Sequence, residues 1–298
     1  MNEFKKNLWG LAGMRILIFL VSLFVCTLTG ALIAAFFTVT NNIVMIKIGQ
    51  GISSAMMFIA PPLILYLVTR NQPMQYLGFR KPFRWWALLT GIVLMFISLP
   101  LTNILGDWNA GIKIGGAFEV LEDWLKTFDE ASEALIERMM NVNTVWGLLG
   151  NLLVLALIPA IGEELTFRGV LQQALTRGCK NVHLAVFISA FVFSFIHMQF
   201  SGFLPRMFLG MLLGYMFYYT GSIWTSILMH FINNGFIVVI YYLNNKGLAN
   251  IDVEHFGSPE GWECLGNTGT VMVYVLSLLL TVGAIVLVAK KQSKYGRK

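Results

Sequence analysis

The sequence predicts an all-α, polytopic membrane helix bundle, and three observations carry that expectation. Of the 298 residues 57% are hydrophobic and only 12% charged, a balance well outside that of water-soluble globules. Apolar stretches of about 20 residues recur along the chain, the length that crosses a ~30 Å hydrocarbon layer at about 1.5 Å per residue. Basic residues gather at alternate connectors between those stretches.

About eight transmembrane helices follow in order, over residues 14–38, 43–69, 85–105, 145–164, 182–200, 204–219, 222–244 and 269–289. Lys5, Lys6 and Arg15 precede the first as they would in a signal peptide, but 16–37 exceeds the usual ~7–15-residue apolar core of one, so it reads as an anchor. Pro61 and Pro62 in the second, Pro100 in the third and Pro159 in the fourth remove backbone donors and should kink or loosen their helices. Pro159 frees the carbonyl of Leu155, and Gly162 adds slack immediately before Glu163. The fourth helix either ends near 164 or continues through "VLQQAL" to 176. Gly210 and Gly214 in the sixth form a GxxxG that lets another helix approach closely.

The outer loop 106–144 contains a helix-like stretch over 118–140, with Phe118, Leu121, Leu125, Phe128, Leu135 and Met139 on an apolar stripe. Its carboxylates, Asp129 among them, read as a solvated face over a stripe lying on the membrane surface. A second outer loop, 246–268, holds Asp252, Glu254, His255, Glu260 and Glu263 without metal-ligand spacing. No repeat or soluble module interrupts the chain, so 1–298 reads as a single integral membrane domain.

Lys and Arg accumulate on the cytoplasmic side of short loops. Lys5, Lys6 and Arg15, then Arg70, Arg80, Lys81 and Arg84, then Arg177 and Lys180, then Lys290, Lys291, Lys294, Arg297 and Lys298 all fall on one side of an eight-helix arrangement. Both termini are therefore expected in the cytoplasm, with the lipid bilayer as the molecule's environment. The same scatter of basic residues among loop ends explains the formal charge of +6 and excludes a nucleic-acid partner, which would need a continuous basic stripe. Cys26, Cys179 and Cys264 fall in a helix, an inner loop and an outer loop, which suggests neither disulfides nor a thiolate metal site.

Six polar side chains in or beside the later apolar segments form a candidate set: Glu163, Glu164, Arg168, His197, His230 and Asn234. In "IGEELTFRG" Glu164 and Arg168 stand four apart and can pair, which lowers the cost of placing either in lipid. Glu163 points about 100° away and is available to another helix. His230 and Asn234 in "HFINN" are likewise four apart and can face one cavity, and His197 in "FSFIHMQF" adds a polar group from the fifth helix. Each alone has a structural explanation as helix glue or a hydrogen-bonded packing residue. Their coincidence in otherwise apolar segments points to a site.

Glu163-Glu164-x-x-x-Arg168, Phe193-x-x-x-His197 and His230-x-x-x-Asn234 resemble, in order, the three motifs of the CPBP family, the CAAX-processing and bacteriocin-processing (Abi-type) intramembrane endopeptidases. The resemblance covers a catalytic core over 145–245, about a third of the chain, and implies hydrolysis of a peptide bond in a membrane-associated peptide or protein. It implies Glu163 as general base, His197 beside the same water, and His230 and Asn234 as donors to the oxyanion. Glu164 and Arg168 would hold the local helix in register.

No metal cofactor is expected, because no HExxH pair stands on one helix. The alternative is a zinc-dependent version of the same protease, drawing on Glu163, Glu164, His197 and His230. Two further alternatives are a proton- or ion-coupled transporter, in which the same groups relay charge, and a noncatalytic scaffold. Size and family type place the chain in a bacterial inner membrane. Counting along the helices sets His230 about 12 Å and His197 about 21 Å from the inner edge, and the site is expected to be a wet cavity open toward the cytoplasm.

Overall fold

Each apolar segment read from the sequence is helical in the computed structural model, which describes residues 2–69, 77–79, 84–112, 115–116, 119–252, 256–258 and 266–295, and no strand occurs among them. Arg70, Arg80, Lys81, Phe118, Glu254, His255, Glu260, Glu263, Cys264, Arg297 and Lys298 lie outside the described residues. The helices are α1 Asn2–Val39, α2 Ile43–Phe58, α3 Ala60–Thr69, α4 Trp85–Ile97, α5 Leu99–Gly111 and α6 Glu119–Met140. They continue with α7 Val145–Cys179, α8 Val182–Ile196, α9 Phe203–Thr220, α10 Ile223–Asn245 and α11 Gly266–Tyr295.

Among the described residues five helical stretches are long and apolar enough to cross a membrane, or six if the bent pair α4–α5 counts as one. Against the expected eight, α8 is shorter at 15 residues, and α9 carries Arg206 in its first turn. Large apolar side chains such as Phe24, Leu32 and Phe36 on α1 remain exposed on the protein, as they do on a surface solvated by lipid.

The prolines act where the sequence places them. Pro62 has no N–H for the carbonyl of Phe58, the helix breaks at Ile59 between α2 and α3, and the Thr166 hydroxyl donates to that carbonyl at 2.7 Å. Pro100, in the first turn of α5, follows a 46° bend at Ser98. Pro159 sits in α7 between two stretches of wide, π-type winding, Leu152–Leu157 and Glu164–Gln172. Of the two extents the sequence left open for this helix, the longer is found: α7 runs 35 residues without stopping at 164.

The π segments position the site, since widening the helix rotates the side chains that follow relative to an α-helical register. α7 packs against α2, α8 and α10. Phe58, Phe167 and Phe193 form a buried apolar floor beside it. α8 and α9 pack closely because a Cβ at Gly210 would meet Ala190 Cβ and Phe193 at 3.1 Å, so the GxxxG does bring helices together.

The connectors gather at two ends. At one, Arg138 of α6 donates to Asn41 O at 2.8 Å and Asn245 Nδ2 donates to Met140 O at 2.9 Å. At the other, Ile223 N–H donates to Gly78 O at 3.2 Å and Lys291 lies 4.2 Å over the Trp86 ring. α6 crosses the first end with Val120 and Trp124 exposed and only Met139, Met140 and Asp129 buried. Asp129 thus departs from the expected solvated face: its carboxylate accepts from the N–H groups of Phe200 at 3.0 Å and Ser201 at 2.8 Å, in the connector after α8.

Candidate active site

α7 brings Glu163 and Glu164 into the bundle between Pro159 and the second π segment. Glu164 is fully buried, and one of its oxygens, Oε1, serves two partners: Arg168 Nη1 at 2.7 Å and His230 Nδ1 at 2.9 Å. The expected Glu164–Arg168 pair therefore forms, and it has a third member from α10. Arg168, itself 1% exposed, donates its other terminal nitrogen to the carbonyl of Gly210 at 2.9 Å and lies 4.8 Å over the Phe193 ring. One turn on, Gln172 Nε2 donates to Gly214 O at 2.9 Å. The stripe Glu164, Arg168, Gln172 ties α7 to both glycines of the GxxxG, whose lack of side chains lets the guanidinium and the amide reach the backbone.

Glu163, rotated away from that stripe, faces two imidazoles. His197 Nε2 stands 3.8 Å from its Oε1 and His230 Nε2 stands 3.7 Å from its Oε2. Both separations are too long for a direct hydrogen bond and short enough for each pair to touch one water molecule. Helix α8 stops at His197 because Met198 takes a left-handed backbone, φ 55. The ring is held by Nδ1 against Phe193 O at 2.7 Å, which leaves Nε2 turned to Glu163. Chain counting put His197 and His230 at different depths, yet both reach the same carboxylate.

Asn234 lines the same cavity, with Nδ2 at 3.5 Å from Leu155 O, the carbonyl that Pro159 leaves without its helical donor. Asn233 Nδ2 donates to Asn234 Oδ1 at 3.1 Å and fixes the amide's orientation. The six sequence-predicted residues therefore form two groups. Glu163, His197, His230 and Asn234 face a cavity of about 1270 Å³, and Glu164 with Arg168 stand behind them.

Among the described residues the cavity takes no lining from the end carrying Arg177 and Lys180, where a site open to the cytoplasm was expected to lead. Its walls continue from Glu163 to Ala131, Ala134 and Leu135 on α6. The reason lies in the packing of the other end: Leu77, Leu165, Phe217, Ile223 and Ile227 form a dense apolar cluster there, closing α7 against α9 and α10.

Three side chains at the site escaped sequence reading. Arg206 lines the cavity, donating to the side-chain oxygen of Gln199 at 2.7 Å, and an arginine in the first turn of an apolar segment was its available signal. Asp129 and Asn109 clamp the connector 197–203. Asn109 donates to Phe200 O and accepts from Leu204 N–H at 2.9 Å. Nothing in their spacing marked either, since their partners lie some 70 to 95 residues away. Of the cysteines described, Cys26 is buried and Cys179 exposed. Among the described residues no set of three or more His, Cys, Asp or Glu side chains is arranged to hold a metal ion.

No curated protein and no solved structure matches the chain. Over residues 145–236, the stretch that begins with α7 and takes in Glu163, Glu164, Arg168, His197, His230 and Asn234, the chain matches the family described as type II CAAX prenyl endopeptidase Rce1-like. That match agrees with the CPBP motifs and identifies this core of the helix bundle as that of a membrane peptidase, an enzyme acting on a peptide substrate.

Proposed function

We propose that the chain is an intramembrane endopeptidase that hydrolyses a peptide bond with a water molecule activated by Glu163. The observation that carries this reading is the convergence of Glu163, His197 and His230, from three helices, on one cavity wall at 3.7 to 3.8 Å. With His197 Nδ1 donating to Phe193 O, Nε2 presents a lone pair, so a water between it and Glu163 is oriented by two acceptors. Its oxygen attacks the scissile carbonyl carbon while its proton passes to Glu163.

The tetrahedral intermediate carries a negative oxygen, which needs donors already in place. Asn234 supplies an amide N–H. His230 supplies Nε2–H when its ring carries both protons, with Glu164 accepting from Nδ1. The C–N bond then breaks and Glu163 returns its proton to the departing amine nitrogen, so the enzyme ends unchanged. Glu164 and Arg168 touch no substrate in this scheme; they fix the ring plane of His230 and the register of α7 against α9.

No step draws on a metal: base, water-positioning group and oxyanion donors are all side chains. The substrate is a peptide or protein segment at the bilayer, and an inner bacterial membrane is the proposed setting. The test is purified protein in detergent or lipid given a peptide library, beside Glu163→Ala and His197→Ala. Cleavage by the wild type that both substitutions abolish supports the assignment. Undiminished cleavage by both variants rejects it, and proteoliposome ion flux lost in Glu163→Gln without any cleavage would replace it with transport.

A further inference from the structure

We propose that the active site is entered from the noncytoplasmic face of the membrane, at the end crossed by α6, and that its substrate is an exported or juxtamembrane peptide segment on that face. This rests on the peptidase reading and adds the side from which the site is served. Two independent observations carry it.

The first is the shape of the cavity. Its lining passes from Glu163 and His197 to Ala131, Ala134 and Leu135, and takes no residue from the connectors 77–79 or 177–181 at the opposite end. α6 is fastened at two places, by Asp129 to Phe200 and Ser201 and by Arg138 to Asn41. α6 lines the cavity from Phe128 to Met140, and in the stretch between those fastenings Ala131 and Ala134 are exposed. The helix therefore borders an opening at its middle instead of sealing it.

The second is charge. Arg15, Arg84, Arg177, Lys180, Lys290 and Lys291 stand at the end away from α6, against Lys47, Arg206 and Lys246 on segments that start or finish at the α6 end. On α6 carboxylates outnumber the cations Lys126 and Arg138, and Lys126 is paired with Glu122 at 2.7 Å. Because basic connectors are retained in the cytoplasm, the α6 end is the far side of the membrane. A cytoplasmic prenylated tail would meet the closed apolar end of the bundle, whereas a segment delivered across the membrane would meet the open one.

The test uses cysteine reporters in the full-length protein in intact cells. Cys179, exposed at the basic end, is kept as one reporter, Cys26→Ala and Cys264→Ser remove the others, and Ala134→Cys places the second at the cavity rim, with Ser132→Cys as a replacement if that variant does not fold. A membrane-impermeant maleimide, excluded by the hydrocarbon layer, should label position 134 about 10-fold faster than Cys179 until the membrane is opened. Labelling at 134 should also lower peptide cleavage measured afterwards in detergent. Preferential labelling of Cys179 from outside, or full cleavage with 134 blocked, overturns the proposal. The two readings fail differently: cleavage in detergent with reversed labelling sinks the side of entry alone, whereas the expected labelling with no cleavage of any peptide sinks the peptidase reading.

Discussion

His230 and Arg168 share a single oxygen, Glu164 Oε1, at 2.9 and 2.7 Å. That one atom couples α10, through His230, to α7 and, through the second nitrogen of Arg168, to the backbone of α9 at Gly210. The orientation of the His230 imidazole thus depends on an ion pair buried behind the cavity wall, which gives the two glutamates separable consequences on substitution.

Glu163→Gln should leave the fold intact and lower kcat by about 10²–10⁴-fold, the usual worth of a positioned general base. The amide is nearly isosteric with the carboxylate but cannot accept the water's proton. Equal melting temperatures in detergent with lost turnover are the expected pair of readings; a variant that cleaves as fast as wild type contradicts the assigned base.

Arg168→Ala should damage stability first. It leaves Glu164 buried and uncompensated, a change that costs about 3–5 kcal/mol when one partner of a buried pair is removed. Glu164→Gln combined with Arg168→Gln should cost less than the sum of the two single changes, since each removes the other's unpaired charge. Thermal unfolding of the four proteins in one detergent measures the cycle, and simple additivity would show that the pair is not coupled.

Asp129→Ala should act on His197 at a distance. The two N–H groups of Phe200 and Ser201 lose their acceptor, and the connector that starts at Met198 loosens. A fall in kcat with little change in melting temperature is expected, with partial recovery in Asp129→Asn, which keeps one acceptor oxygen. Full activity in the alanine variant would confine Asp129 to a solvation role.

Gly214→Ala tests the contact of α7 with α9. The added Cβ would lie 2.8 Å from Gln172 Oε1 and 3.1 Å from Val186, so Gln172 must leave the Gly214 carbonyl or the helices must part. Overpacking of this kind costs about 1–3 kcal/mol. Gly178→Ala, with open space around it, is the control and should melt like wild type.

Rigorous chelation should leave cleavage undiminished, because the proposed base, water-positioning and oxyanion groups are all side chains. The measurement pairs elemental analysis of the protein with the residual rate. Activity lost on chelation and restored by zinc alone would favour the metal-dependent alternative.

The helical class, the position of nearly every apolar segment and the six polar residues Glu163, Glu164, Arg168, His197, His230 and Asn234 were legible in the sequence, because in lipid each carries a local signature. A helix satisfies its own backbone within one segment, so span positions follow from runs of apolar residues, and an ionisable group inside such a run stands out against its neighbours. The pairing of Glu164 with Arg168 was equally local, four residues apart on one helix. What only the tertiary structure decided was how far α7 continues past 164, that His230 joins the two glutamates, that Asp129 is buried against Phe200 and Ser201, and that the cavity runs toward α6. Each of those depends on where separate helices cross and how far a π turn rotates them, and no spacing within one segment records the depth at which another will meet it.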